Sequence, residues 1–160
     1  MNMVIIMERY FEKISFDQFK KDIADDKELY EEYSLPKRET KSAAGYDFKA
    51  IMDFSIKPGE TKKIPTGIKA YMKEDEFLMI IVRSSTGFKY NVRLVNQVGI
   101  IDQDYYNNKD NEGHMWVKLQ NEGDKEYVVK KGEGFAQCLF ANYLTVSNED
   151  EDYNERSSDY

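Results

Sequence analysis

The amino-acid sequence predicts a mainly β protein, a sandwich or barrel of short strands with one amphipathic helix ahead of it. Three observations lead there. From Tyr46 onward, short runs rich in β-branched and aromatic residues alternate with turn residues. A helical period is confined to the region before Pro36. With 41% hydrophobic residues, 12 Tyr and 9 Phe among 160 positions, the chain can bury one core, and a second full domain is not expected.

Taken in order, the apolar run Met3 to Met7 is too short for a signal h-region or a membrane span, and Glu8 follows it directly. Ser15 with Gln18 forms a capping-box signal, and Phe16, Phe19, Ile23 and Tyr30 recur on one face, so a single helix over 16–33 is expected. Such a helix could also engage a protein partner. Pro36 closes this N-terminal segment, residues 1–36. Strands are expected at 46–56, 61–64, 68–72, 76–82, 92–97, 99–102, 114–120, 126–130 and 135–143, with Pro58-Gly59 and Pro65-Thr66-Gly67 as turns between them. Together they make a β domain over 37–146. The remainder, 147–160, is acidic and lacks large aliphatic side chains suited to burial, which predicts a mobile tail.

A net charge of -7 argues against sequence-independent binding to nucleic acid, which needs Lys and Arg to displace counterions from phosphates. A small polyanionic ligand would need local compensation, for which Mg²⁺ is suited. Cys138 has no second cysteine to pair with and falls in the apolar run 135–140, the pattern of a buried thiol in a reducing cytoplasm.

The chain has no G-x-x-x-x-G-K-[ST] loop, so any phosphate cradle must be of another kind. Arg83-Ser84-Ser85 follows the apolar run 77–82, where a strand opening into a tight turn would aim a guanidinium, two hydroxyls and backbone N–H groups at an anion. Asp102 and Asp104, two apart, would share a face of an extended strand, and a carboxylate beside a bound triphosphate can take a proton from an attacking water. Taken alone, each feature is more often a surface turn. Gln137 is a polar residue in a core-like strand, either satisfied within the sheet or aimed into a cleft. His114, the lone histidine, lies in a hydrophilic insertion and reads as a surface residue.

Four strings in order resemble the motifs of the trimeric dUTPase family: Ala44-Gly45-Tyr46-Asp47-Phe48; Arg83-Ser84-Ser85; Gly99-Ile100-Ile101-Asp102-Gln103-Asp104-Tyr105; and Gly134-Phe135-Ala136-Gln137-Cys138-Leu139-Phe140. The resemblance implies a jelly-roll-like β-barrel, a homotrimer with sites at subunit interfaces, and Mg²⁺-dependent hydrolysis of dUTP to dUMP and pyrophosphate. It assigns Asp102 to activation of the attacking water and Tyr105 to the deoxyribose, where the ring leaves no room for a 2′-hydroxyl. Asn96 and the backbone of Gly99, Ile100 and Ile101 would read uracil. Arg83, Ser84 and Ser85 would hold phosphates, Gln137 the α-phosphate or the water, and Asp47 the metal through water. Arg156 would reach the γ-phosphate.

Two departures from the family pattern stand out. Residues 107–112 resemble an insertion, and Ser157-Ser158-Asp159-Tyr160 replaces the Gly-rich, Phe-containing arm that follows the family's Arg. The second departure leaves room for a nucleotide-binding regulatory protein with weak turnover. The related dCTP deaminases also carry Arg-Ser-Ser, but their Arg three residues beyond it and their catalytic Glu three residues before an Asn are here Phe88 and Lys118.

Overall fold

Short strands follow from short apolar runs cut by Gly, Pro and Asp. The computed structural model describes residues 3, 6–158 and 160, so Val4 and Ile5 of the apolar N-terminal run and Asp159 of the tail, with Met1 and Asn2, lie outside the described residues. The chain opens with strand β1 (Tyr10–Lys13), helices α1 (Phe16–Asp22) and α2 (Lys27–Glu32), and strands β2 (Tyr46–Lys49), β3 (Phe54–Ile56), β4 (Thr61–Pro65), β5 (Ile68–Tyr71) and β6 (Glu76–Ile81). It continues through α3 (Ser84–Tyr90), β7 (Val92–Leu94), β8 (Gly99–Ile101), a 3-10 turn at Gln103–Tyr105, β9 (Trp116–Asn121), β10 (Tyr127–Val129) and β11 (Gly134–Asn142).

All pairings are antiparallel. The largest sheet has the order β2-β11-β6-β8, a second is β4-β9-β7, and two pairs, β1-β5 and β10-β3, complete the fold. Along β6 the exposure alternates, with Leu78 and Ile80 buried and Phe77 and Met79 less so, as a strand with one face on the core requires. Phe48, Ile56, Val117, Leu119 and Phe135 join the same core, and Cys138 is buried with them. Burial pushes its thiol well above the usual range, which keeps it protonated and inert.

The N-terminal segment departs from the single expected helix. Ser15 does cap α1, its side chain accepting from the Gln18 N–H, but the helix stops at Asp22. A new one begins because the Asp26 carboxylate accepts from the Leu29 N–H, a local bond that competes with helix continuation. The apolar face is taken up within the chain. Phe19 is buried, stacks on Tyr33 at 5.7 Å, and Tyr33 donates its hydroxyl proton to the Gly67 carbonyl at 2.8 Å. That packing leaves no support for a protein partner at this helix. The expected strand over 46–56 likewise splits into β2 and β3.

His114 is a correction of larger consequence: it is fully buried rather than at the surface. Its Nε2 accepts from the Gly67 N–H at 2.9 Å and its Nδ1 lies 2.6 Å from the Asp22 carboxylate, so the ring bridges α1 to the turn before β5. Hydrophilic neighbours conceal this in the sequence, because the partners are distant in the chain.

Candidate active site

The residues singled out by motif gather in two separate clefts. The first forms where β2, β11 and the start of α3 meet, and is lined by Glu39, Gly45, Asp47, Arg83, Ser84, Ser85 and Gln137. In β11, Gln137 pairs with Asp47 on one side and Ile81 on the other, which sets it at the centre of the sheet. Its amide donates to the Val82 carbonyl at 3.2 Å, yet the side chain still borders the cleft, so it is both satisfied and available. Gly45 makes this arrangement feasible: a Cβ there would lie 2.3 Å from Gln137 Oε1.

Arg83 donates to the Gly134 carbonyl at 2.9 Å and sits 3.7 Å from the Asp47 carboxylate. Burial pushes the Asp47 carboxyl up, against the opposing charges of Arg83 and Lys49. The expected turn after Arg83 is in fact α3. Arg83 is its N-cap and makes no side-chain cap hydrogen bond, so the first turn receives no capping acceptor from that residue. The helix is anchored by Thr86, whose hydroxyl lies 3.2 Å from that of Tyr127 on β10.

The second cleft lies beside the β7–β8 hairpin and is lined by Asn96, Ile100, Ile101, Asp102, Tyr105 and Arg156. It adjoins a cavity of about 200 Å³ bounded by Ile80, Leu94, Asn96, Gly99 and Trp116, with Lys63 and Lys118 at its edge. The hairpin is tight because Gln97 adopts a left-handed φ of 63° and donates its N–H to Leu94 at 2.9 Å. Trp116 rests against the His114 ring at 4.7 Å, and the Lys63 ammonium sits 4.3 Å from its centroid.

Asp102 and Asp104 do not share an extended strand. Asp102 is the N-cap of the 3-10 turn that carries Asp104 and Tyr105, so the chain bends immediately after β8. Arg156 gathers both carboxylates, donating to Asp102 Oδ2 and to Asp104 Oδ1, each at 2.7 Å. Burial works against its charge, but hydrogen bonds and charge from Asp104 and Asp102 outweigh it and raise the guanidinium's pKa. The tail meets this cleft: Ser158 accepts from Asn111 at 3.1 Å, and the Tyr160 ring lies 6.0 Å from that of Tyr105.

The two clefts share no lining residue. One offers a guanidinium and hydroxyls beside the Glu39 and Asp47 carboxylates, and the other an apolar slot, a buried tyrosine and a carboxylate pair. Sequence reasoning missed Asn111, Trp116 and Glu39. The first is masked by its hydrophilic surroundings, and the other two stand outside the motifs.

A family model described as dUTPase matches residues 31–159. The deoxyuridine 5'-triphosphate nucleotidohydrolase of Lactococcus lactis is 45% identical over 128 residues, covering 79% of this chain and 85% of that protein. The crystal structure of the dUTPase from Streptococcus mutans superposes with a TM-score of 0.69 at 40% identity, over 86% of this chain and 98% of the other. A mutant dUTPase from phage phi11 of S. aureus, described as showing the coordination of a structural Mg(II) ion, shares the fold at TM-score 0.67 and 17% identity, over 92% and 99% of the two chains. With its four motifs placed on two clefts of a mainly β fold, and with a match over most of its length, the chain belongs to the dUTPase family.

Proposed function

We propose that the protein hydrolyses dUTP to dUMP and pyrophosphate by attack of an Asp102-activated water on the α-phosphorus. The observation that carries this reading is the common lining of one cleft by Asp102, Tyr105 and the hairpin residues Asn96, Ile100 and Ile101. A nucleoside whose base enters the hairpin would place its sugar at Tyr105 and its first phosphate near the carboxylate. Asp102 takes a proton as the water oxygen bonds to phosphorus, the bridging bond to the β-phosphoryl group breaks, and pyrophosphate leaves. Arg83 and Ser85 stabilise charge on the phosphates, Ser84 serves the α–β bridge, and Gln137 orients the α-phosphate or the water.

Among the described residues no group of three or more His, Cys, Asp or Glu could hold a metal. Asp47, a buried carboxylate lining the phosphate cleft, fits a Mg²⁺ held chiefly by triphosphate oxygens and water, which it would reach through a water molecule. When bound, the ion neutralises phosphate charge. The separation of the two clefts supports a homotrimer in which one subunit supplies Arg83, Ser84, Ser85 and Gln137 and another supplies Asp102 and Tyr105. Among the described residues no helix is long and apolar enough to cross a membrane, and we assign the enzyme to the cytoplasm on its buried thiol.

Arg156 lying on Asp102 favours a second reading, a nucleotide-binding regulatory protein with weak turnover. Pyrophosphate release measured on dUTP, dTTP, dCTP and UTP, with and without Mg²⁺, separates the two. The hydrolase reading expects rapid release from dUTP alone, dependent on Mg²⁺ and reduced about 10²–10⁴-fold by Asp102→Asn. Tight dUTP binding with negligible release would replace it with the regulatory one.

A further inference from the structure

The 107–112 insertion does more than lengthen a loop, because it encloses the hydroxyl of Tyr105. We propose that Asn111 is a positioning residue for sugar discrimination: its amide fixes the Tyr105 phenol and so sets how closely the ring approaches the 2′ carbon. The inference rests on the reading of Tyr105 as the residue that faces deoxyribose.

The Tyr105 hydroxyl donates to the His114 carbonyl at 2.9 Å and accepts from Asn111 Nδ2 at 2.8 Å. One bond alone would let the ring tilt about its axis. The second bond, with the Ser158 hydroxyl 3.5 Å from the same oxygen, holds the oxygen in place and, with the ring buried, the plane as well. Asn111 is itself held. It is 9% exposed, its Oδ1 accepts from the Gly113 N–H at 3.1 Å and from Asn108 Nδ2 at 2.9 Å, and those two donors settle which end of the amide faces the phenol. Its Nδ2 also reaches the His114 carbonyl at 3.2 Å and the Ser158 hydroxyl at 3.1 Å.

The turn that presents Asn111 is pressed against the backbone of Tyr105. Gly113 adopts a φ of +94°, and a Cβ there would lie 2.9 Å from the Tyr105 carbonyl oxygen. Glu112 ties the turn to the rest of the molecule, accepting from the Ser15 N–H at 2.6 Å and pairing with Lys69 at 3.1 Å. Excluding one hydroxyl by contact depends on displacements well below 1 Å, and a ring free to lean would admit ribose. The insertion therefore supplies stiffness where the discrimination is made.

The test is kcat/KM for dUTP and for UTP in the wild type, Asn111→Asp, Tyr105→Phe and the double variant. Asn111→Asp keeps an oxygen for Gly113 and Asn108 but removes the donor to the phenol. The dUTP-to-UTP ratio of kcat/KM should fall about tenfold in Asn111→Asp and at least as far in Tyr105→Phe, which also loses the His114 bond, with no further fall in the double beyond Tyr105→Phe, since the Asn111–phenol bond is absent from both. An unchanged ratio in Asn111→Asp, or penalties that multiply in the double variant, would overturn the inference. Should Asn111→Asp be too unstable to assay, Tyr105→Phe removes the hydroxyl alone, and an unaltered ratio there overturns it equally. Normal dUTP turnover with unchanged ratios defeats this inference only, whereas a wild-type protein inert toward dUTP defeats the hydrolase reading and this inference together.

Discussion

Gln137 and Gly45 show how narrowly single residues define the anion cleft. The Gln137 amide stands in the space that a Cβ at position 45 would fill, at 2.3 Å from its oxygen. The obstructed atom is the far end of a side chain and Gly45 is not at a left-handed φ, so Gly45→Ala should leave the backbone intact. What moves is Gln137, away from the cleft it borders. We expect kcat/KM for dUTP to fall about tenfold while the melting temperature changes by no more than a few degrees, a contrast that paired kinetics and thermal melts would reveal. The carboxylate pair shows another side of residue-scale design. Because Asp102 caps the 3-10 turn that follows β8 and Asp104 lies inside it, a single guanidinium can hold both. Period-two reasoning on the sequence places them on one strand face and misses the bend that brings this about.

At the scale of elements, α1 is docked through a histidine that must stay neutral. With Nε2 accepting from the Gly67 N–H, the ring proton resides on Nδ1, facing Asp22. A second proton would point at another donor. Burial holds the His114 pKa below the usual imidazole range despite the Asp22 and Glu112 carboxylates, with Lys63 adding to the depression. As pH falls through the ordinary imidazole range near ~6.5, the unfolded chain binds a proton that the folded chain refuses, so stability is full above that range and declines below it. Thermal melts between neutral and mildly acidic pH should show this decline, and His114→Gln should flatten it.

The strands are legible in the sequence because their alternation is local, as in the run from Glu76 to Ile81. The segment Arg83-Ser84-Ser85-Thr86-Gly87 has no apolar period to announce α3, which is secured instead by the Thr86–Tyr127 contact. Tyr10–Lys13 becomes a strand only because β5 offers an edge, with Tyr10 stacked on Tyr71 at 4.8 Å. Motif spacing identifies the cleft residues, but the hold of Asn111 on Tyr105 depends on a turn whose polar composition resembles a solvated loop.

For the molecule as a whole, the division of the candidate site into two clefts leads to an expectation that no single-subunit enzyme would meet. Arg83→Ala and Asp102→Asn proteins should each be inactive. Unfolded together and reassembled in equal amounts, they should recover about a quarter of wild-type activity, the fraction of interfaces at which an intact phosphate cleft meets an intact carboxylate. Activity that stays at the level of the separate variants would place the complete site within one chain. Trp116 adds an experimental convenience of its own. It is the sole indole in the sequence, and it lies between the His114 imidazole and the slot beside the hairpin. Its fluorescence therefore carries an optical signal from the wall of the base-sized cavity, able to register arrival of a nucleobase without any attached dye.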